Sequence, residues 1–449
     1  MVLLYYLGTI LLSTGVLLLL PAASAPLLGE PRALPVFLAP ALLCIFSGCF
    51  LRGLSSAGVP ERLTAFKVAA LGWLLAAFAG SLPYLLFLHS GVVDAYFEAM
   101  SGFTTTGISV LNPGQMPRSL VFWRSLTEWA GGVGIVVLML AFFQPVGAAV
   151  RLYPAEARSE RLEPSMLRTT WKILYIYVTL TLAAILVLYL SGDGVFRAVN
   201  HALTAVSTGG FSITSGGFAD SPYATRLAII PFMLAGGMSF ALHSRVMGGE
   251  FRRFITDQEV LGILLVVLLL SGALHLLGVS LLDAVFTAVS AITTTGFTTL
   301  DISGMSDTAK YLLLLVMLVG GCTGSTAGGI KMFRALVVLK SAEWHLRRFV
   351  APRGELLPLR LRGRKTEEEV LASLTFVLLY LGTAAAGVLV FMLQGHSMME
   401  AAFTVLSAQG NNGLTVLSDY TAPEEVLMIL HMWMGRLELI PVLALLMRE

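Results

Sequence analysis

The chain has 449 residues, of which 56% are hydrophobic and only 12% charged, and its mean hydropathy is +0.82. A soluble domain carries roughly 25% charged residues, so this chain has about half the charge needed to coat a water-facing surface. A soluble enzyme is excluded, and a net charge of +2 is too small to hold nucleic acid by bulk electrostatics.

Apolar runs near 20 residues long predict membrane-spanning helices at about 3–22, 34–51, 64–88, 120–145, 167–190, 223–247, 258–278, 310–336, 369–394 and 424–446. The first run is followed by Ala22-Ala23-Ser24-Ala25, which looks like a signal-peptide cleavage site. No Lys or Arg precedes Arg32, whereas a signal peptide starts with a basic region, so the run is read as a helix. The cysteines, Cys44, Cys49 and Cys322, lie in apolar or glycine-rich stretches and form no disulfide framework and no metal-ligand spacing.

The connecting segments alternate in charge. Segment 151–172 carries Arg151, Arg158, Arg161, Arg168 and Lys172. Segment 334–365 carries Arg334, Lys340, Arg347, Arg348, Arg353, Arg360, Arg362, Arg364 and Lys365 against Glu343 and Glu355. Both are expected on the cytoplasmic side. The alternate segments carry Asp94, Glu98, Asp193, Asp220, Asp283, Asp301, Asp307, Glu400, Asp419, Glu424 and Glu425, and are expected to face outward.

Four stretches of these outward segments align without gaps: 94–109, 197–212, 283–298 and 400–415. They read DAYFEAMSGFTTTGIS, RAVNHALTAVSTGGFS, DAVFTAVSAITTTGFT and EAAFTVLSAQGNNGLT, with Gly107, Gly210, Gly296 and Gly413 in one column. Each follows one apolar helix and precedes another. The expected fold is an all-α polytopic membrane protein with four tandem helix–pore loop–helix repeats in a pseudo-fourfold arrangement, preceded by a helix pair. The boundaries are 1–60 for the leading pair, 61–150, 151–250 and 251–340 for repeats 1 to 3, 341–366 for a basic linker and 367–449 for repeat 4.

About ten residues separate the start of each stretch from its polar run, or about 15 Å of helix, which is half of a ~30 Å hydrocarbon core. Backbone ending at that depth survives only when buried in protein or lining a water-filled path. Helix C-termini there favour a cation at their focus. The runs Thr104-Thr105-Thr106-Gly107, Ser207-Thr208-Gly209-Gly210, Thr293-Thr294-Thr295-Gly296 and Gly410-Asn411-Asn412-Gly413 offer successive carbonyls and polar side chains. Four such strands around one axis can replace the hydration shell of a monovalent cation.

These residues resemble the Trk/Ktr/HKT superfamily of potassium transporters, and most closely its bacterial TrkH type. The likeness covers nearly the whole chain: the four filter stretches, Glu128–Gly134 (EWAGGVG), Gly320–Lys331 (GGCTGSTAGGIK) and Gly435–Glu438 (GRLE). The leading helix pair favours the TrkH type over the shorter KtrB type. The resemblance implies a pore-forming subunit in a bacterial inner membrane. It implies a homodimer with one pore per chain, regulated by a cytoplasmic nucleotide-binding subunit of the TrkA type. It further implies potassium selectivity from glycine at all four filter positions, with the potassium ion as the only cofactor. The second unit departs from the pattern, with Arg197 at its start and Asn200 and His201 where the first has Phe97 and Glu98.

The run at 310–336 is interrupted by Gly320, Gly321, Gly324, Gly328 and Gly329, with Thr323, Ser325 and Thr326 among them. Glycine costs about 1 kcal/mol in a helix interior, so an irregular segment is expected, and the resemblance implies a gating loop. It is not a phosphate-binding loop, because Ile330 stands where a lysine is required, and Ser325 lacks the Gly-x-Ser-x-Gly frame of a nucleophile. A stripe of small residues for helix packing is the other reading.

Arg436 lies inside the last apolar run, where a charge costs about 2.5–3.5 kcal/mol even on the lenient scale. It is expected to face the pore or to pair with an acid. Glu438 is two residues away and points elsewhere, so Glu128 is the better candidate.

The scattered histidines show no metal-ligand spacing. An intramembrane enzyme would need a nucleophile–base pair or facing buried carboxylates, and none is found. An organic-solute transporter would show inverted repeats, whereas these four share one orientation. A sodium- or proton-coupled symporter of monovalent cations is the alternative to a selective potassium pore.

Overall fold

The computed structural model describes residues 1–58, 60–142, 166–350, 360–361, 364–365 and 367–447. Arg151, Arg158, Arg161, Arg353, Glu355 and Arg362 of the basic segments lie outside these residues. Among the described residues, regular structure is helical apart from one antiparallel pair, Arg360–Leu361 with Arg364–Lys365.

Six described helices are long and apolar enough to cross a membrane: Val2–Leu27, Pro31–Gly53, Arg62–Leu88, Arg168–Leu190, Gln258–Leu276 and Glu369–Leu393. Two runs expected as unbroken spans are broken instead, and a third is broken where an interruption is expected. Tyr223–Gly236 is followed by Phe240–Met247 at an angle of 105°. Ser239 restarts the chain there, its hydroxyl accepting from the Ala241 amide at 3.3 Å. Ala422–Arg436 is followed by Ile440–Leu446 at 110°. Here Glu438 and Leu439 are left-handed, at φ of 58° and 63°, and Pro441 cannot donate into a continuing helix. The third run ends its first helix, Asp307–Val319, at Gly320 and resumes as Met332–Val350.

The leading helices pack through glycine. A Cβ added to Gly8 would lie 2.8 Å from Gly48 O, and one added to Gly48 would lie 2.6 Å from Gly8 O. Such small-residue contacts let apolar helices associate in lipid, where no hydrophobic force separates protein from solvent.

Between the long helices lie four helices of 12 residues each: Val92–Phe103, Val195–Val206, Leu281–Ile292 and Met398–Gln409. Their length gives about 18 Å, too short to cross the membrane. All four end alike. The amides of Thr106, Gly209, Thr295 and Asn412 donate back to the carbonyls of Ser101, Thr204, Ser290 and Ser407 at 2.8–2.9 Å. This is the closing bond of a Schellman ending, which needs a left-handed residue. That residue is Thr105, Thr208, Thr294 or Asn411, at φ of 52°, 53°, 53° and 49°. Left-handed threonine is strained, and such strain persists only where the surroundings enforce it.

Buried indoles tie the first short helix to a long one and two long helices to each other. Trp73 Nε1 donates to Phe103 O, the last carbonyl of the first short helix, and Trp123 Nε1 donates to Gly80 O, both at 3.0 Å.

Candidate functional site

The four loops after the short helices close a ring. A Cβ added to Gly107 would lie 2.2 Å from Gly209 O, and one on Gly210 would lie 2.0 Å from Thr295 O. One on Gly296 would lie 2.2 Å from Asn412 O, and one on Gly413 would lie 2.4 Å from Thr106 O. Each glycine therefore abuts the next loop in chain order, and the fourth returns to the first. All four have positive φ, at 82°, 89°, 79° and 92°, so a side chain at any of them meets both strain and a backbone carbonyl.

The carbonyls of this ring are unspent. Among the described residues, those of Thr104–Gly107, Thr208–Gly210, Thr293–Gly296 and Gly410–Gly413 accept no hydrogen bond from the protein, while Ser207 O accepts from Thr208 Oγ1. Buried carbonyls are nearly always paired, so a ring of unpaired ones is a set of ligands for something that is not protein. The side chains point to other work. Asn411 Nδ2 donates to Thr106 Oγ1 at 2.9 Å and Asn412 Nδ2 donates to Ala291 O at 2.7 Å, tying the fourth loop to the first and third.

The segment 320–329 packs directly against this ring. The Gly328 amide donates to Thr294 Oγ1 at 2.8 Å, and Thr208 Oγ1 donates to Thr326 Oγ1 at 3.1 Å. Two of the strained threonines are thus used by this segment. Thr326 Oγ1 in turn bonds Gly236 O at 3.0 Å, and the Cys322 amide donates to Gly237 O at 2.8 Å, so the break after Tyr223–Gly236 seats the segment. A Cβ on Gly328 would lie 2.2 Å from Gly410 O. The interruption is therefore an irregular segment beneath the ring, and not merely a packing stripe.

Arg436 is 5% exposed and bridges two parts of the site. Its Nη1 donates to Thr326 O at 2.7 Å, and its Nη2 donates to Gly131 O at 2.8 Å and Gly132 O at 3.4 Å. The expected pairing with Glu128 does not occur. Glu128 accepts instead from the Phe211 amide, at 3.0 and 3.2 Å. Carbonyls take both terminal nitrogens: Thr326 O belongs to an irregular segment, whereas Gly131 and Gly132 lie inside the helix Arg118–Phe142 and lend their second lone pairs, and Nε has no partner among the described residues. Glu438 does point elsewhere, binding Lys331 Nζ at 2.6 Å and Arg334 Nη2 at 2.7 Å.

Sequence reasoning missed a second set of charges. Glu98, placed among the outward acids, is 0% exposed, and its Oε1 accepts from Arg124 Nε at 2.7 Å. The signal was present: Arg124 interrupts an apolar run as Arg436 does. Asp193, Glu424 and Glu425 are likewise buried rather than solvated. His201 is fully buried, with Nδ1 2.9 Å from Asp193 Oδ2. Outside the spans, Ser303 donates to Asp301 from its hydroxyl and its amide, which holds that carboxyl below its usual range and keeps it charged.

A helical membrane protein whose half-length helices end on one ring of unspent carbonyls is built to pass cations. The comparisons agree with that class. The chain belongs to the TrkH family of cation transport proteins, whose family model matches residues 60–267 and 275–448. It is 34% identical over 454 residues to an uncharacterized cation transporter of Methanocaldococcus jannaschii, covering 98% of this chain and 94% of that one. It is 31% identical over 480 residues to the Trk system potassium uptake protein TrkH of Vibrio parahaemolyticus, covering 98% and 96%. The crystal structure of the potassium transporter TrkH from that organism superposes with a TM-score of 0.89 at 28% identity, covering 99% and 98% of the two chains. The relatives are transporters, not enzymes.

Proposed function

We propose that this protein takes up potassium across the cell membrane through the ring at Gly107, Gly210, Gly296 and Gly413, which acts as its selectivity filter. The observation that carries the proposal is the closed ring of unpaired carbonyls from four loops with one backbone conformation. Carbonyls of Thr104–Gly107, Ser207–Gly210, Thr293–Gly296 and Gly410–Gly413 replace the hydration shell of the ion. The names of the relatives as potassium uptake proteins support the choice of ion.

In this reading Gly320, Gly321, Gly324, Ser325, Thr326, Gly328, Gly329 and Arg436 form the gate. Its support is the hydrogen bonding of the segment to the second and third filter loops and to the guanidinium. The filter loops open outward and the basic segments face the cytoplasm, where a nucleotide-binding subunit of the TrkA type docks on one chain of a homodimer. The relatives' membership of a Trk system and the exposed Leu346, Phe349 and Val350 at the end of Met332–Val350 support a docking partner.

The test is isotopic uptake into proteoliposomes by wild type and Gly107→Ser. The added Cβ forces Gly209 O to move, so preference for rubidium over sodium is expected to fall. An unchanged preference in the variant, at unchanged insertion, overturns the assignment of the ring as the filter.

A further inference from the structure

We propose that Glu98, Arg124 and Glu128 form a buried ionic strut that sets the spacing between the first and second loops of the ring, and so positions the filter for ion discrimination. The proposal rests on the reading of the ring as the filter.

Arg124 and Glu128 lie one turn apart on one face of Arg118–Phe142. Glu98 comes from the first short helix, and all three are at most 1% exposed. The guanidinium spends its donors on three different segments. Nε bonds Glu98 Oε1 at 2.7 Å, Nη2 bonds Ser109 Oγ at 3.0 Å, and Nη1 bonds Ser212 O at 3.1 Å. Its carbon also sits 3.9 Å from the centroid of the Phe211 ring. Glu98 completes the first half by accepting from Ser109 Oγ at 2.9 and 3.1 Å and from the Val110 amide at 3.2 Å. Glu128 completes the second half by holding the Phe211 amide.

Residues 109–110 leave the first filter loop and residues 211–212 leave the second. The strut therefore clamps both exits at the seam where Gly107 meets Gly209 O. Glu128 also backs that seam directly, since a Cβ on Gly209 would lie 2.3 Å from its carboxyl carbon. A planar guanidinium has a fixed fork of donors, so it fixes a distance between its partners rather than merely attracting them.

The other three repeats lack the glutamate–arginine pair; in the second, the buried His201 pairs instead with Asp193 of its own repeat, away from the following helix. The positions aligned with Glu98 are His201, Thr287 and Thr404, and the hydroxyls of both threonines have no partner among the described residues. The residues as far into the other following helices as Arg124 is into its own are Ile229, Leu313 and Met428, all fully buried and apolar. Buried charges cost several kcal/mol each and are weak sources of stability, so a charged set at one seam calls for a role other than holding the fold. That role is positioning.

Four full-length variants in proteoliposomes test this, with rubidium and sodium uptake measured side by side. Arg124→Lys keeps the charge but not the fork. The double variant Glu98→Thr with Arg124→Leu copies the third repeat and leaves no unpaired charge from that pair, so it addresses discrimination without a folding defect. Gly107→Ser reports on the ring itself. Loss of one or more charge-assisted bonds is expected to lower rubidium-over-sodium preference about tenfold in both strut variants, with the rubidium rate itself changed less. Ser109→Ala removes one hydroxyl bridge and is expected to lower it by a smaller factor. If Gly107→Ser alters preference while Arg124→Lys and the double variant keep the wild-type value, the strut proposal fails and the filter stands. If none of them alters preference, the filter reading fails with it.

Discussion

Replacing Arg436 by alanine removes two things at once. It removes the bond from Nη1 to Thr326 O at 2.7 Å, which ties segment 320–329 to the helix Ala422–Arg436, and it removes a fixed positive charge from the cation path we propose. A hydrogen bond to a charged group contributes about 2 kcal/mol, which shifts the balance between seated and displaced segment by about thirtyfold. The charge adds to this. At a separation of about 6 Å and an effective dielectric of about 20, it opposes a potassium ion by about 3 kcal/mol, or more than a hundredfold in rate. The two effects act on one barrier and do not add in full. Rubidium influx into proteoliposomes without a regulatory subunit is therefore expected to rise at least about thirtyfold in Arg436→Ala, with ion preference nearly unchanged. Arg436→Lys separates the contributions, because an ammonium keeps the charge but cannot span Thr326 O and Gly131 O together; its influx should lie between the two. Influx equal to or below wild type in Arg436→Ala, from protein that inserts and stays monodisperse, refutes the reasoning and makes Arg436 a structural tie between segment 320–329 and Gly131.

Glu438→Gln leaves Lys331 and Arg334 without their shared carboxylate, and its thermal midpoint in detergent should fall by roughly 5 °C or more; an unchanged midpoint means the triad contributes nothing net. The orientation is tested by cysteine labelling in a Cys49→Ser background. Ser341 is buried, so its exposed neighbour serves: Ala342→Cys should react with a membrane-impermeant reagent in inverted vesicles and not in intact cells.

The short helices and their loops were legible in the sequence because one constraint recurs four times. Each must stop at half the membrane and turn back, which demands a polar run and a glycine at one spacing. The breaks at 237–239 and 437–439 were not legible, because hydropathy registers apolar composition and is blind to backbone direction. Gly237, Ser239 and Pro441 were the available signs, each common in membrane helices that do not bend. The partner of Arg436 was misjudged for a related reason. A buried guanidinium calls for a carboxylate on composition alone, but its terminal nitrogens are taken by backbone carbonyls, one from an irregular segment and two from within a helix, and the carboxylate of Glu128 holds an amide. Glu98 was read as a loop acid because its segment is acidic. Only its helical position, four residues beyond Asp94, and the arginine facing it from another helix reveal that it is buried.

The most direct test of the ring as the ion path is anomalous scattering from crystals soaked in thallous ion, a potassium surrogate. Density is expected on the axis of the ring, between the carbonyls of Thr104–Gly107, Ser207–Gly210, Thr293–Gly296 and Gly410–Gly413. Thallous density found only elsewhere in the molecule, with the ring unoccupied at saturating ion, contradicts the account.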